Sequence, residues 1–148
     1  MEKDYTNLSK YYDYLQRDMN YNIWVNWVVK QNFKKDIRIL EIGCGTGTVA
    51  NELTKLGYRV DAFDYSDEMI RQAKQKNDSI NFYQDDITTF KVEEKYDLIL
   101  CFMDTLNYIV DEKNIKASFK NVYNALNDGG IFLFDIHQLD NFDNFDGY

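Results

Sequence analysis

Proline is absent from the 148 residues, and histidine occurs once, at His137. The missing proline carries no functional information. Cysteine occurs twice, as Cys44 and Cys101, far apart and in unlike contexts. Two thiols make no disulfide framework, so a reducing cytoplasm is the expected compartment. No His/Cys/acid cluster has ligand spacing, so no metal is expected. Basic charge is also short, with Lys+Arg 17 against Asp+Glu 25 and a net charge of −8. A general nucleic-acid binder needs the opposite balance to neutralise phosphates, so nucleic acid is not an expected partner. No apolar run approaches the ~20 residues of a membrane span. The opening MEKDYTNLSK carries acids and lacks an apolar core, unlike a signal peptide. No repeat or low-complexity linker divides the chain. What is present suffices for one packed domain, since 45% of residues are hydrophobic and 16% aromatic.

Hydrophobic periodicity gives the elements. Residues 9–31 read as one or two helices, with Leu15, Met19, Ile23, Trp24, Trp27 and Val28 forming an apolar stripe. Residues 37–42 (IRILEI) read as a buried strand that stops at glycine. A helix is expected from Thr48 to Leu56, with Gly57 as its stop, then a strand from Arg59 to Phe63. Ser66 is a good N-cap, and Asp67 and Glu68 follow in the first turn of a helix reaching Lys76. Strands are expected at Ile80–Tyr83 and Tyr96–Phe102, and a helix at Asn114–Leu126 with Ile115, Phe119, Val122, Tyr123 and Leu126 on one side. Asp128-Gly129-Gly130 reads as a turn before a fifth strand, Ile131–Ile136. This alternation predicts a doubly wound α/β domain with a mostly parallel sheet. From Gln138 the tail has no period and reads as a solvated acidic segment; its acids do not fit a calcium loop.

The informative feature is Leu40-Glu41-Ile42-Gly43-Cys44-Gly45-Thr46-Gly47, placed after a strand and opening a helix. Glycines there permit a sharp turn and close approach of a ligand to the backbone. A tight strand–helix turn without any ligand has the same appearance. The dinucleotide fingerprint needs a third glycine where Thr48 stands, and a Walker-A loop needs a lysine that is missing.

The chain resembles the class I S-adenosylmethionine-dependent methyltransferases over nearly its whole length. LEIGCGTG is similar to their first motif, and the second is carried by Val60-Asp61-Ala62-Phe63-Asp64-Tyr65-Ser66. Phe82 to Ile87 resembles the third, Tyr96 to Cys101 the fourth, and Leu126 to Asp135 the turn and fifth strand. Tyr12, Asp13, Tyr21 and Trp24, with Asp104, Thr105, Asn107 and Tyr108, resemble patterns of small bacterial enzymes acting on small molecules. The resemblance implies a Rossmann-like sheet of five strands in order 3-2-1-4-5. It implies a cofactor-binding domain over residues 1–137, residues 1–32 being a helical lid, and a tail at 138–148.

It also implies roles. Asp64 accepts hydrogen bonds from both ribose hydroxyls; Tyr65 and Met69 pack on adenine, unless Met69 is simply helix core. Asp86 takes the adenine amino group, with Asp85 as the competing register, and the Ile87 N–H meets the ring. Gly43, Cys44, Gly45 and Gly47 wrap the methionine part. Glu41 orders the loop or reaches the ammonium through water, and the Cys101 carbonyl lies near that ammonium. The aromatic N-terminal segment, with Tyr12, Tyr21 and Trp24, lids the site. Asp104, Tyr108 and His137 are the candidate bases, although a lone histidine with no assembled partner reads more simply as a loop residue. The implied reaction moves a methyl group from S-adenosylmethionine to nitrogen or oxygen of a small molecule.

The family sheet continues beyond strand five, and no further strand is legible before Tyr148. Strand five is therefore expected to be an open edge, met by truncation, by a second copy or partner, or by the tail. A cofactor-binding but non-catalytic module is the alternative function. A nicotinamide oxidoreductase is weaker, because Thr48 and Asp86 speak against it.

Overall fold

The computed structural model describes residue 17 and residues 19–136. Along the chain run α1 (Asn22–Lys30), β1 (Arg38–Ile42), α2 (Thr48–Lys55), β2 (Arg59–Asp64), α3 (Asp67–Lys76), β3 (Asn81–Gln84), β4 (Tyr96–Cys101), a 3-10 turn (Thr105–Tyr108), α4 (Glu112–Ala125) and β5 (Leu126–Phe134). The strands form one sheet in the order β3-β2-β1-β4-β5, and all four pairings are parallel. Strand side chains alternate between two apolar layers. Ile39, Leu98 and Leu100 face α1, α2 and α3, while Leu40, Ile42, Ile99 and Cys101 face α4 and the segment after β3. Burial on both faces explains why these strands read as continuous apolar runs. Among the described residues no helix is long and apolar enough to cross a membrane.

Local signals set α3 closely. The Ser66 hydroxyl accepts from the Met69 N–H at 3.3 Å, and the helix ends at Lys76. Replacing Ser66 by alanine is expected to lower unfolding stability by about 1 kcal/mol. Urea denaturation checks this through a lower midpoint, and an unchanged midpoint contradicts it.

Other boundaries depart from expectation. Helix α4 starts two positions before Asn114, because the Asp111 carboxylate accepts from the Lys113 N–H at 2.7 Å and caps it. Its buried face is Ser118, Val122 and Ala125, so Phe119 and Tyr123 lie on the rim. The expected turn at Asp128 lies inside β5. Leu126 pairs with Tyr96 and Ile131 with Leu98, so the intervening residues bulge opposite Asp97. The Asn127 amide donates to Asp97 there, at 3.0 Å. In α1, Val25 and Val28 are buried, with Tyr21 and Trp24 packed against the same layer. Met19, Ile23 and Trp27 are partly exposed. The buried stripe is thus turned from the one expected, and Leu15 lies outside the described residues.

Candidate active site

Strand β1 sits between β2 and β4, and the chain winds outward from it in both directions. In such a sheet the crevice for a ligand opens at the carboxyl ends of the strands beside this switch point. The segments that arrive there are Gly43–Gly47 after β1, Asp64–Ser66 after β2, Asp85–Ile87 after β3, Phe102–Tyr108 after β4 and Asp135 after β5.

The glycine loop is laced to β2. The Gly43 and Cys44 N–H groups both donate to the Phe63 carbonyl, at 2.9 and 3.1 Å. The Asp64 carboxylate completes the lacing, accepting from the Gly45 N–H at 2.8 Å and the Ser66 N–H at 2.9 Å. Gly43 and Gly47 have φ of +71° and +81°. A Cβ at Gly43 would lie 2.5 Å from Thr105 Cγ2, and one at Gly47 2.5 Å from Phe82 Cζ. These two glycines are therefore required by the chain's own packing, whatever binds above them.

Two acid side chains, Glu41 and Asp64, lie at the loop. Glu41 is only 4% exposed. Its carboxyl accepts the Ala50 N–H in the first turn of α2, and its Oε2 has no partner among the described residues. Burial, with Asp64 adding a smaller push, raises its pKa to about 8. Burial also raises Asp64, against the opposing hydrogen bonds from Ser66 and Gly45. The Cys44 thiol is held up by burial first, then by Glu41 and Asp64. Burial does the same to Cys101. Both sulfurs are buried protonated thiols and behave as small apolar groups. A cation does approach, since Lys76 Nζ donates to the buried Thr46 hydroxyl at 2.8 Å.

The remaining residues singled out in the sequence fall as follows. Tyr65 is 63% exposed on the rim, whereas Met69 is 4% exposed on the buried face of α3. Asp86 accepts both the N–H and the hydroxyl of Thr88 at 2.8 Å, and Asp85 accepts the Asp86 N–H at 2.8 Å. Ile87 is buried with α4, and its carbonyl accepts from the Asn121 amide. The Cys101 carbonyl accepts from the Asp135 N–H at 3.3 Å, extending the ladder. Tyr21 and Trp24 sit on one face of α1, ring centroids 6.2 Å apart. Asp104 opens the 3-10 turn, and Tyr108 closes it at 68% exposure. Tyr12 and His137 lie outside the described residues. Two residues that the sequence reading placed in motifs but gave no role stand out. Thr105 covers Gly43, and the Asp135 carboxylate accepts from Trp24 Nε1 at 2.6 Å. The signal for Asp135 was available, namely an acid ending a parallel strand as Asp64 does.

Comparison with known proteins agrees with this fold. Residues 39–130 match the model of a family described as a methyltransferase domain. A Geobacillus protein carrying a methyltransferase name is 33% identical over 141 residues, covering 90% of this chain and 57% of its own length. A malonyl-[acyl-carrier protein] O-methyltransferase of Bacillus anthracis is 32% identical over 127 residues, covering 83% of this chain and 46% of its own length. The crystal structure of an S-adenosylmethionine-dependent methyltransferase from Clostridium acetobutylicum superposes with a TM-score of 0.75 at 31% identity, covering 86% of this chain and 55% of that one. The chain spans about half the length of these relatives. The chain belongs to the class I S-adenosylmethionine-dependent methyltransferases.

Proposed function

We propose that this chain binds S-adenosylmethionine at the carboxyl ends of β1, β2 and β3 and serves methyl transfer to a nitrogen or oxygen of a small molecule. The observation that carries the reading is the Asp64 carboxylate, fixed at the end of β2 by the Gly45 N–H of the glycine loop and by the Ser66 N–H. The donor set fits this cofactor. An ionised carboxylate accepts about four hydrogen bonds, so two ribose hydroxyls can join the two N–H groups. An acid at the end of β2 also suits a dinucleotide, so what favours this reading over that one is Thr48 in place of the third glycine, with Asp86 further on. When bound, S-adenosylmethionine supplies a sulfonium methyl that needs no further activation. The chain's residues then bind, orient and exclude water. Asp64 holds the ribose, Gly43–Gly47 cradle the amino-acid end, and Glu41 braces the loop from beneath. Asp86, with Asp85 beside it, and the Ile87 N–H edge the adenine, and Tyr65 offers its face.

On the acceptor side, Asp104 or Tyr108 takes the proton from a hydroxyl, while an amine can lose its proton to solvent before binding. The O-methyltransferase name of the Bacillus anthracis relative supports an oxygen acceptor. Both cysteines are free, which supports work in a reducing cytoplasm. Calorimetric titration tests the reading. S-adenosylhomocysteine is expected to bind with a Kd on the order of micromolar, and NAD is expected not to bind. Methyl transfer to a panel of amines and alcohols follows. Binding without turnover on any of them assigns a non-catalytic binding module, and no binding overturns the proposal.

A further inference from the structure

The Asp135 carboxylate collects three donors from two distant parts of the chain. Trp24 Nε1 of α1 donates to Oδ2 at 2.6 Å, the Met103 N–H to Oδ2 at 2.9 Å and the Asp104 N–H to Oδ1 at 2.8 Å. Met103 and Asp104 have φ of +59° and +60°. Two consecutive residues with side chains in the left-handed region are costly unless something holds them there. Their successive N–H groups form a concavity suited to an anion, and the chain fills it with its own carboxylate. The next residue, Thr105, packs over Gly43, so the turn that Asp135 holds is also the wall above the first glycine. Through Trp24 the same carboxylate ties down α1, whose Val25 and Val28 are buried in one layer with Cys44 and Phe102.

We infer that Asp135 is a positioning residue that sets the acceptor-side wall of the site by joining α1 to the strained turn after β4. None of the three donors belongs to Asp64 or to the glycine loop. It acts through Met103, Asp104 and Trp24, and keeps Thr105 and Asp104 in place before any ligand arrives. Preorganisation of this kind shows most in how tightly and how long a ligand is held. The inference rests on the cofactor reading only for its ligand readout, because the junction itself is visible without ligand.

Asp135→Asn tests it in the full chain carrying Trp27→Phe, which leaves Trp24 as the sole indole of the two tryptophans. The amide places an N–H group against donors that need an acceptor. The expected results are a shifted Trp24 emission, faster exchange of the Met103 and Asp104 amides, and affinity for S-adenosylhomocysteine lowered about tenfold or more. Adding Met103→Gly is expected to restore part of that affinity, because glycine adopts the left-handed conformation unaided. A merely structural carboxylate would not be rescued at that one position. Unchanged emission and exchange in Asp135→Asn overturn the inference, as does a loss of affinity that Met103→Gly leaves untouched. If the parent itself fails to bind S-adenosylhomocysteine, the cofactor reading falls, and the junction stands or falls on emission and exchange alone.

Discussion

Replacing Asp64 by alanine is expected to weaken S-adenosylhomocysteine binding by on the order of 2–4 kcal/mol, about 30- to 1,000-fold in Kd. On the proposed reading each ribose hydroxyl donates to an ionised oxygen in a half-buried position, where charge-assisted bonds are strong. The carboxylate also accepts from the Gly45 and Ser66 N–H groups. Alanine therefore loosens the loop as well as removing the acceptor, and some loss of unfolding stability accompanies the loss of binding. Asp64→Asn separates the two effects. Its amide oxygen can keep one backbone bond, while its N–H group opposes the other donor. Calorimetry on both variants, with urea midpoints alongside, checks the assignment. An alanine variant that binds like the parent removes Asp64 from the ribose role.

The second large effect is a pH dependence set by Glu41. Its pKa is about 8 in the folded chain, against 4.5 for an ordinary glutamate, chiefly because burial penalises the charged form. Between those values the native state binds a proton that the unfolded state has released. Stability from this group is therefore complete below about pH 4.5 and is lost as pH rises through about 8. The full span is on the order of 5 kcal/mol, large beside the total stability of a domain of this size. Glu41→Gln keeps the shape and the acceptor for the Ala50 N–H but cannot ionise. Thermal unfolding from pH 5 to 8 is expected to show a steep fall for the parent and a shallower one for the variant, which is the more stable at pH 8. Equal slopes contradict the assignment. A bound cation beside Glu41 favours its charged form, so cofactor affinity is expected to rise over the same window.

The sequence was most readable where one signal acts over a few residues. Ser66 with its following acids places α3, and the stop at Gly43 places the end of β1. Short apolar runs alternating with helices then predict the parallel sheet, and the motif order points to the family. Readability fell where distant partners decide. The bulge in β5 depends on Asp97 and Asn127, thirty positions apart, so the turn residues looked like a boundary rather than an interruption. The face of α1 is chosen by what it covers, and Trp24 is held by an acid 111 positions away. The glycine loop shows a subtler limit. Its pattern signals the ligand family, yet Gly43 and Gly47 are already demanded by Thr105 and Phe82. The pattern thus reports folding and binding together, and Asp64 is the residue that tells them apart.

The central claim is that a sulfonium nucleoside lies over the carboxyl ends of β1, β2 and β3 with its sugar on Asp64. The most direct measurement is a crystal structure grown with S-adenosylhomocysteine. The account predicts both ribose hydroxyls within hydrogen-bond distance of the Asp64 carboxylate and the amino-acid end against Gly43–Gly47. A crevice filled by the protein's own side chains, or a ligand seated away from Asp64, contradicts it.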